Sequence, residues 1–108
     1  MNLKTVEKAA QPDVIQPDSG WCALARKLWD DVLSTYHLES HHRQLLRQAC
    51  HALDCAEGAR RVTEKEGRFY WVKDKLAANP AMEAERKARD SFRMCLKELG
   101  LDVEKGGH

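Results

Sequence analysis

The helical periodicity of this chain breaks off once in its interior, between Gly67 and Asn79-Pro80. Into that gap fall Phe69, Tyr70, Trp71 and Val72, its densest run of large apolar side chains. Aromatic and β-branched residues in series favour extended backbone. Lys73-Asp74 supplies a turn and Lys75 to Ala77 a short return, so the segment reads as a β-hairpin over about residues 68–77. Gly67 tolerates the left-handed conformation that ends many helices. Asn79 is a good N-cap, and Pro80 suits the first helical position. A hairpin bracketed in this way must join two helices.

The helix before it is long, from about 40 to 66, opening at Glu39 or Ser40. Its apolar stripe runs through Leu45, Leu46, Ala49, Ala52, Leu53, Ala56 and Ala59. Gly58 weakens it by roughly 1 kcal/mol relative to Ala and permits close packing or a mild bend. The helix after the hairpin, about 80–99, carries Ala81, Ala84, Ala88, Phe92, Cys95, Leu96 and Leu99 and is closed by Gly100. A first helix, about 19–36, is expected from Ser19 as N-cap. Its stripe of Trp21, Leu24, Ala25, Leu28, Val32 and Tyr36, widened by Trp29 and Leu33, calls for two packing partners. The fold class is mainly α: three helices and one hairpin in a single domain over 19–100. Residues 1–18, with Pro12 and Pro17 and no periodic face, read as a flexible arm, and 101–108 as a flexible tail.

With 108 residues the domain has a thin core. No apolar run approaches membrane-spanning length, and the N-terminus lacks a hydrophobic centre followed by a small-residue cleavage site, so a soluble, non-secreted protein without membrane partners is expected. Cys22, Cys50, Cys55 and Cys95 never form a C-x-x-C pair and read as buried free thiols of a reducing compartment.

Candidate chemistry is sparse. His41, His42, Cys50, His51 and Cys55 crowd the start of the second helix, but only His51 and Cys55 share a face at i, i+4. A structural zinc site wants four converging ligands, so no metal and no cofactor is expected. Asp30 with Asp31, and Glu64 with Glu66, point apart on a helix and do not suit paired acid–base work. Phosphate-loop and nucleophile-elbow motifs are absent, and an enzyme is not expected.

The net charge of +1 leaves the partner class to the distribution of charge. Arg68, Lys73 and Lys75 face only Asp74 in the hairpin, beside three aromatics, a combination that suits either nucleic acid or a charged turn with buried rings. Arg43 and Arg47, at i, i+4, form a candidate phosphate-facing pair. Arg60 and Arg61 are offset by Glu57 and Glu64 and read as a salt-bridged face.

Taken together, "LLRQACHALDCAEGARRVTEKEG", the hairpin and "NPAMEAERKARDSFRMCLKELGL" resemble the small subunit of phage terminases, over about Trp21 to Asp102. The most specific elements are Asn79-Pro80-Ala81 and Glu98-Leu99-Gly100-Leu101. The resemblance implies a non-catalytic DNA-packaging component of tailed phages. Such a protein acts in the host cytoplasm, binds double-stranded viral DNA and assembles as a ring. It hands DNA to a large subunit that holds the ATPase and nuclease. On that reading Phe69, Tyr70, Trp71, Val72 and Phe92 form an interface between copies, because so small a protomer cannot cover them itself. Lys4, Lys8, Arg43, Arg47, Arg68, Lys73 and Lys75 contact DNA. The alternative is a helical oligomerisation or adaptor protein without a nucleic-acid role; a metal-dependent nuclease or regulator using His41, His42, His51 and Cys55 ranks last.

Overall fold

The computed structural model describes Asp18 and residues 20–101. Along the chain run helix α1 (Ala23–Thr35), helix α2 (Ser40–Glu66), strands β1 (Phe69–Val72) and β2 (Lys75–Ala78), and helix α3 (Pro80–Leu99). The mainly α architecture with one hairpin between the second and third helices is as the sequence predicts. Helix α2, with 27 residues, is about 40 Å long and serves as the spine. Helix α3 packs along it after the reversal at the hairpin, and α1 packs on its first half.

The core lies at the end remote from the hairpin. Trp21, Ala25, Trp29 and Val32 are buried against Leu46 and Cys50, with Leu99 and Leu101 closing over them. The two tryptophans meet edge to face, ring centroids 5.6 Å apart at 62°, a geometry that the quadrupoles of the rings favour. The Arg47 guanidinium lies 4.7 Å from the Trp29 ring centroid and 5.9 Å from that of Trp21, and it pairs with Asp18 at 2.5 Å. One cation thus fastens the segment before α1 to both helices.

Helix α1 starts three residues later than Ser19 as N-cap suggests, and Ser19 itself lies outside the described residues. The backbone first turns, Trp21 N–H donating to the Asp18 carbonyl, and the Cys22 N–H donates to Asp54 Oδ1 of α2 at 2.7 Å. The Cys22 amide at this helix start thus finds its acceptor on the neighbouring helix. The buried stripe is correspondingly narrower than expected: Leu24 and Tyr36 are both half exposed. On α2, Cys50 joins the core face, whereas Cys55 is exposed.

Both flanks of the hairpin depend on Asn79, the one buried polar side chain among the described residues. Its Oδ1 accepts from the Ala81 N–H at 3.0 Å, capping α3. Its Nδ2 donates to the Gly67 carbonyl at 2.9 Å, and its own N–H donates to the Arg68 carbonyl at 2.7 Å. Gly67 has φ 94° and ψ 160°, a glycine conformation but not the left-handed helical one expected of it. That extended ψ turns the chain straight into β1. At the far end Gly100 is left-handed, its N–H bonded to the Lys97 carbonyl and that of Leu101 to the Leu96 carbonyl, the paired bonds of a Schellman motif. Leu101, the first residue of the expected tail, packs on the core. The remaining tail and the arm lie outside the described residues.

Replacing Asn79 by Ala removes a cap and orphans the Gly67 carbonyl, so Asn79→Ala is expected to lower the unfolding free energy by about 1 to 3 kcal/mol. Urea unfolding followed by circular dichroism measures this; a loss below about 0.5 kcal/mol would rule out the clasp as a stabilising element.

Candidate functional site

The hairpin is antiparallel, pairing Phe69 with Ala78, Tyr70 with Ala77, Trp71 with Leu76 and Val72 with Lys75. Side chains alternate across such a ribbon, so Phe69, Trp71, Leu76 and Ala78 share one face and Tyr70, Val72, Lys75 and Ala77 the other. Lys73 and Asp74 form the two-residue turn with φ of 49° and 67°. Positive φ at both turn positions matches the right-handed twist of hairpins, although Gly and Asn suit it better than Lys. Phe69, Trp71 and Leu76 are 55%, 72% and 58% exposed, which makes their face an uncovered apolar surface on the protomer. Tyr70 and Val72 are exposed as well.

Arg68, Lys73 and Lys75 rim this surface, all exposed and, among the described residues, in no ion pair. Most other arginines are engaged. Arg86 pairs with Glu83 and Asp90, Arg93 with Asp90, and Arg60 with Glu57 and Glu64. Arg61, grouped with Arg60 in the sequence, is exposed and outside that network. Arg43 donates from Nη1 to the Leu38 carbonyl at 2.8 Å and holds the link between α1 and α2. Arg47 is committed to the tryptophans and Asp18. The predicted DNA-contacting residues therefore fall into two groups, Arg43 and Arg47 near the start of α2 and Arg68, Lys73 and Lys75 beyond its end, about 30 Å apart along the helix. Lys4 and Lys8 lie outside the described residues. Phe92 is half-buried on α3, about 18 Å along the helix from the base of the hairpin, so the protomer does not gather it with the hairpin aromatics.

Glu57 is the acid that ties α2 to α3. Arg89 donates to it across the helices at 3.1 Å while also bonding Glu85. The bond from Arg89, reinforced by Arg60 against the opposing effect of burial, holds the Glu57 carboxyl below its ordinary value of 4.5. This bridge spans 32 residues, and no local spacing announces it.

The thiols and imidazoles separate into different surroundings. Burial pushes the Cys50 thiol up to about 12, which makes it a packing residue and not a nucleophile. Cys95 is raised by burial and by Glu98. Cys55 Sγ and His51 Nε2 lie 3.7 Å apart, on an open groove of about 570 Å³ between α2 and α3 that Ala52, Ala88, Met94 and Cys95 also line. His41 and His42 instead lie with Glu39, which sequence periodicity did not associate with them. Asp30, Asp31, Glu64 and Glu66 are exposed.

A carboxylate whose folded-state pKa is depressed stabilises the fold above its unfolded pKa, and that contribution is lost as pH falls through the lower folded value. The unfolding free energy is therefore expected to decline as pH drops below about 4.5. Glu57→Gln should flatten this decline, leaving the part due to Glu83, which Arg86 depresses in the same sense. Equal slopes for parent and variant in acid urea titrations would dissociate Glu57 from the effect.

The family model of the phage terminase small subunit matches residues 25–105, from α1 through the end of α3 and beyond. No curated protein and no solved structure matches the chain.

Proposed function

We propose, for a chain that belongs to the phage terminase small-subunit family and so to the machinery of phage DNA packaging, that it binds double-stranded viral DNA and assists the large terminase subunit in initiating packaging in the host cytoplasm. On this reading the protein is not itself an enzyme; ATP hydrolysis and cleavage belong to the large subunit. Among the described residues no helix is long and apolar enough to cross a membrane.

The observation that carries the reading is the hairpin, an apolar ribbon left uncovered by its own protomer and rimmed by unpaired cations. Burying Phe69, Trp71 and Leu76 against a neighbour contributes roughly 5 to 9 kcal/mol before the costs of association. Tyr70, Val72 and Phe92 complete the proposed interface between copies. The proposed contact sets the hairpin of one copy against helix α3 of the next, a heterologous, head-to-tail interface, and a closing rotation makes a ring. A ring repeats each weak phosphate contact around its circumference, so modest cationic sites add up to useful affinity for DNA. Lys4, Lys8, Arg43, Arg47, Arg68, Lys73 and Lys75 are the proposed contacts. The hairpin cations lead, because Arg43 and Arg47 would have to share their present partners with a phosphate.

Sedimentation velocity at micromolar concentration is expected to find a closed oligomer for the parent and monomers for Trp71→Asp, with the helical circular dichroism of both alike. A monomeric parent would overturn the assembly. For DNA, affinity should fall steeply with salt, and the Arg68→Ala, Lys73→Ala, Lys75→Ala triple variant should lower the slope of log K against log salt by about 0.9 for each phosphate that is no longer neutralised. An unchanged slope assigns the DNA-binding cations elsewhere, and a stable oligomer indifferent to DNA at low salt favours the adaptor reading.

A further inference from the structure

We propose that Glu39, His41 and His42 bind one divalent transition-metal cation of the zinc class at the start of α2, a site independent of the DNA-packaging role. One ligand atom from each residue lies within 4.8 Å of the other two, the one such three-ligand group among the described residues. His41 Nδ1 is 3.8 Å from Glu39 Oε1. The two imidazole centroids are 4.1 Å apart with the rings tilted by 42°.

The local structure keeps these ligands available. Glu39 occupies the N-cap position of α2, yet its side chain makes no capping hydrogen bond and instead faces His41. No acidic residue lies in the first turn proper, so Glu39 at the N-cap is the acid that compensates the positive end of the helix dipole beside the two imidazoles. Arg43, the next cation, is turned away to the Leu38 carbonyl.

Zinc binds imidazole nitrogen and carboxylate oxygen at about 2.0 to 2.2 Å, which places ligand atoms roughly 3 to 3.5 Å from one another. The present spacings reach that by side-chain rotation of about 1 Å, open to His41 and Glu39 because their side chains are 69% and 74% exposed. The helix dipole opposes a divalent cation here by up to roughly thirtyfold in affinity, about fivefold for each unit of charge, and the Glu39 charge offsets part of it. Two imidazoles and one carboxylate select zinc, cobalt or nickel over magnesium, which prefers an all-oxygen octahedron. The remaining coordination positions face water. Once bound, the cation would brace the link between α1 and α2 to the first turn of α2.

Calorimetric titration of Zn²⁺ into the full chain after chelator treatment is expected to show one site per protomer. His41→Ala and His42→Ala should each weaken it by roughly tenfold or more, while the His51→Ala, Cys55→Ala double variant leaves it intact. Co²⁺ in place of Zn²⁺ should give ligand-field bands without the intense sulfur charge-transfer absorption that Cys55 ligation produces. All of these side chains are exposed or partly so, and circular dichroism verifies that each variant is folded. Absence of stoichiometric binding, binding indifferent to both His41 and His42, or a thiolate charge-transfer band would overturn the site.

Discussion

Asn79 makes three hydrogen bonds that meet at the junction of α2, the hairpin and α3: one caps the helix that follows, one reaches the Gly67 carbonyl, and one ties its own backbone to Arg68. A two-stranded ribbon is marginal by itself, and here the ribbon rests on this buried amide for its direction. Because Asn79 closes the base, the strands leave the helices at a fixed point and carry their apolar face beyond the protomer. The antiparallel course of α3 along α2 follows from the same junction, as does the delivery of Leu99 and Leu101 to the tryptophan core at the other end.

Core and hairpin thus divide the labour of a small chain. Trp21, Trp29 and Val32 against Leu46 and Cys50 form one compact cluster, fastened by the Arg47 guanidinium over both indoles. Along the rest of α2 and α3 the packing is supplied by Leu53, by alanines and by ion pairs, with no residue of α3 fully buried. A helix whose apolar stripe is only half covered suits a protomer completed by neighbours, which is how the exposed hairpin and α3 find a common explanation in the proposed ring.

Much of the candidate surface was legible from local chemistry. Phe69 to Val72 with Lys73-Asp74 could only be a ribbon, and three cations opposed by one acid marked its rim. Other expectations met structural facts that spacing does not encode. Arg47, a candidate phosphate-facing residue by its i, i+4 spacing from Arg43, also lies on Trp29 and pairs with Asp18, since that spacing says nothing about which helix packs on that face. Glu39 had no periodic relation to His41 and His42. Its proximity arises because the N-cap residue departs from helical backbone and swings its side chain back over the first turn.

By itself the sequence determined the identity and order of the elements, since the φ freedom of Gly67 and Gly100, the cap of Asn79 on the Ala81 amide and the fixed φ of Pro80 act on the backbone of their immediate neighbours. The tertiary structure alone decided which residues meet: Asp54 with the Cys22 amide, Glu57 with Arg89, each 32 positions apart, and the burial of Trp29 in place of Leu24. The reason is that a helical stripe specifies a direction for apolar side chains but not the surface they will face. That choice is made only when α1 and α3 settle on α2 and bury the largest side chains available.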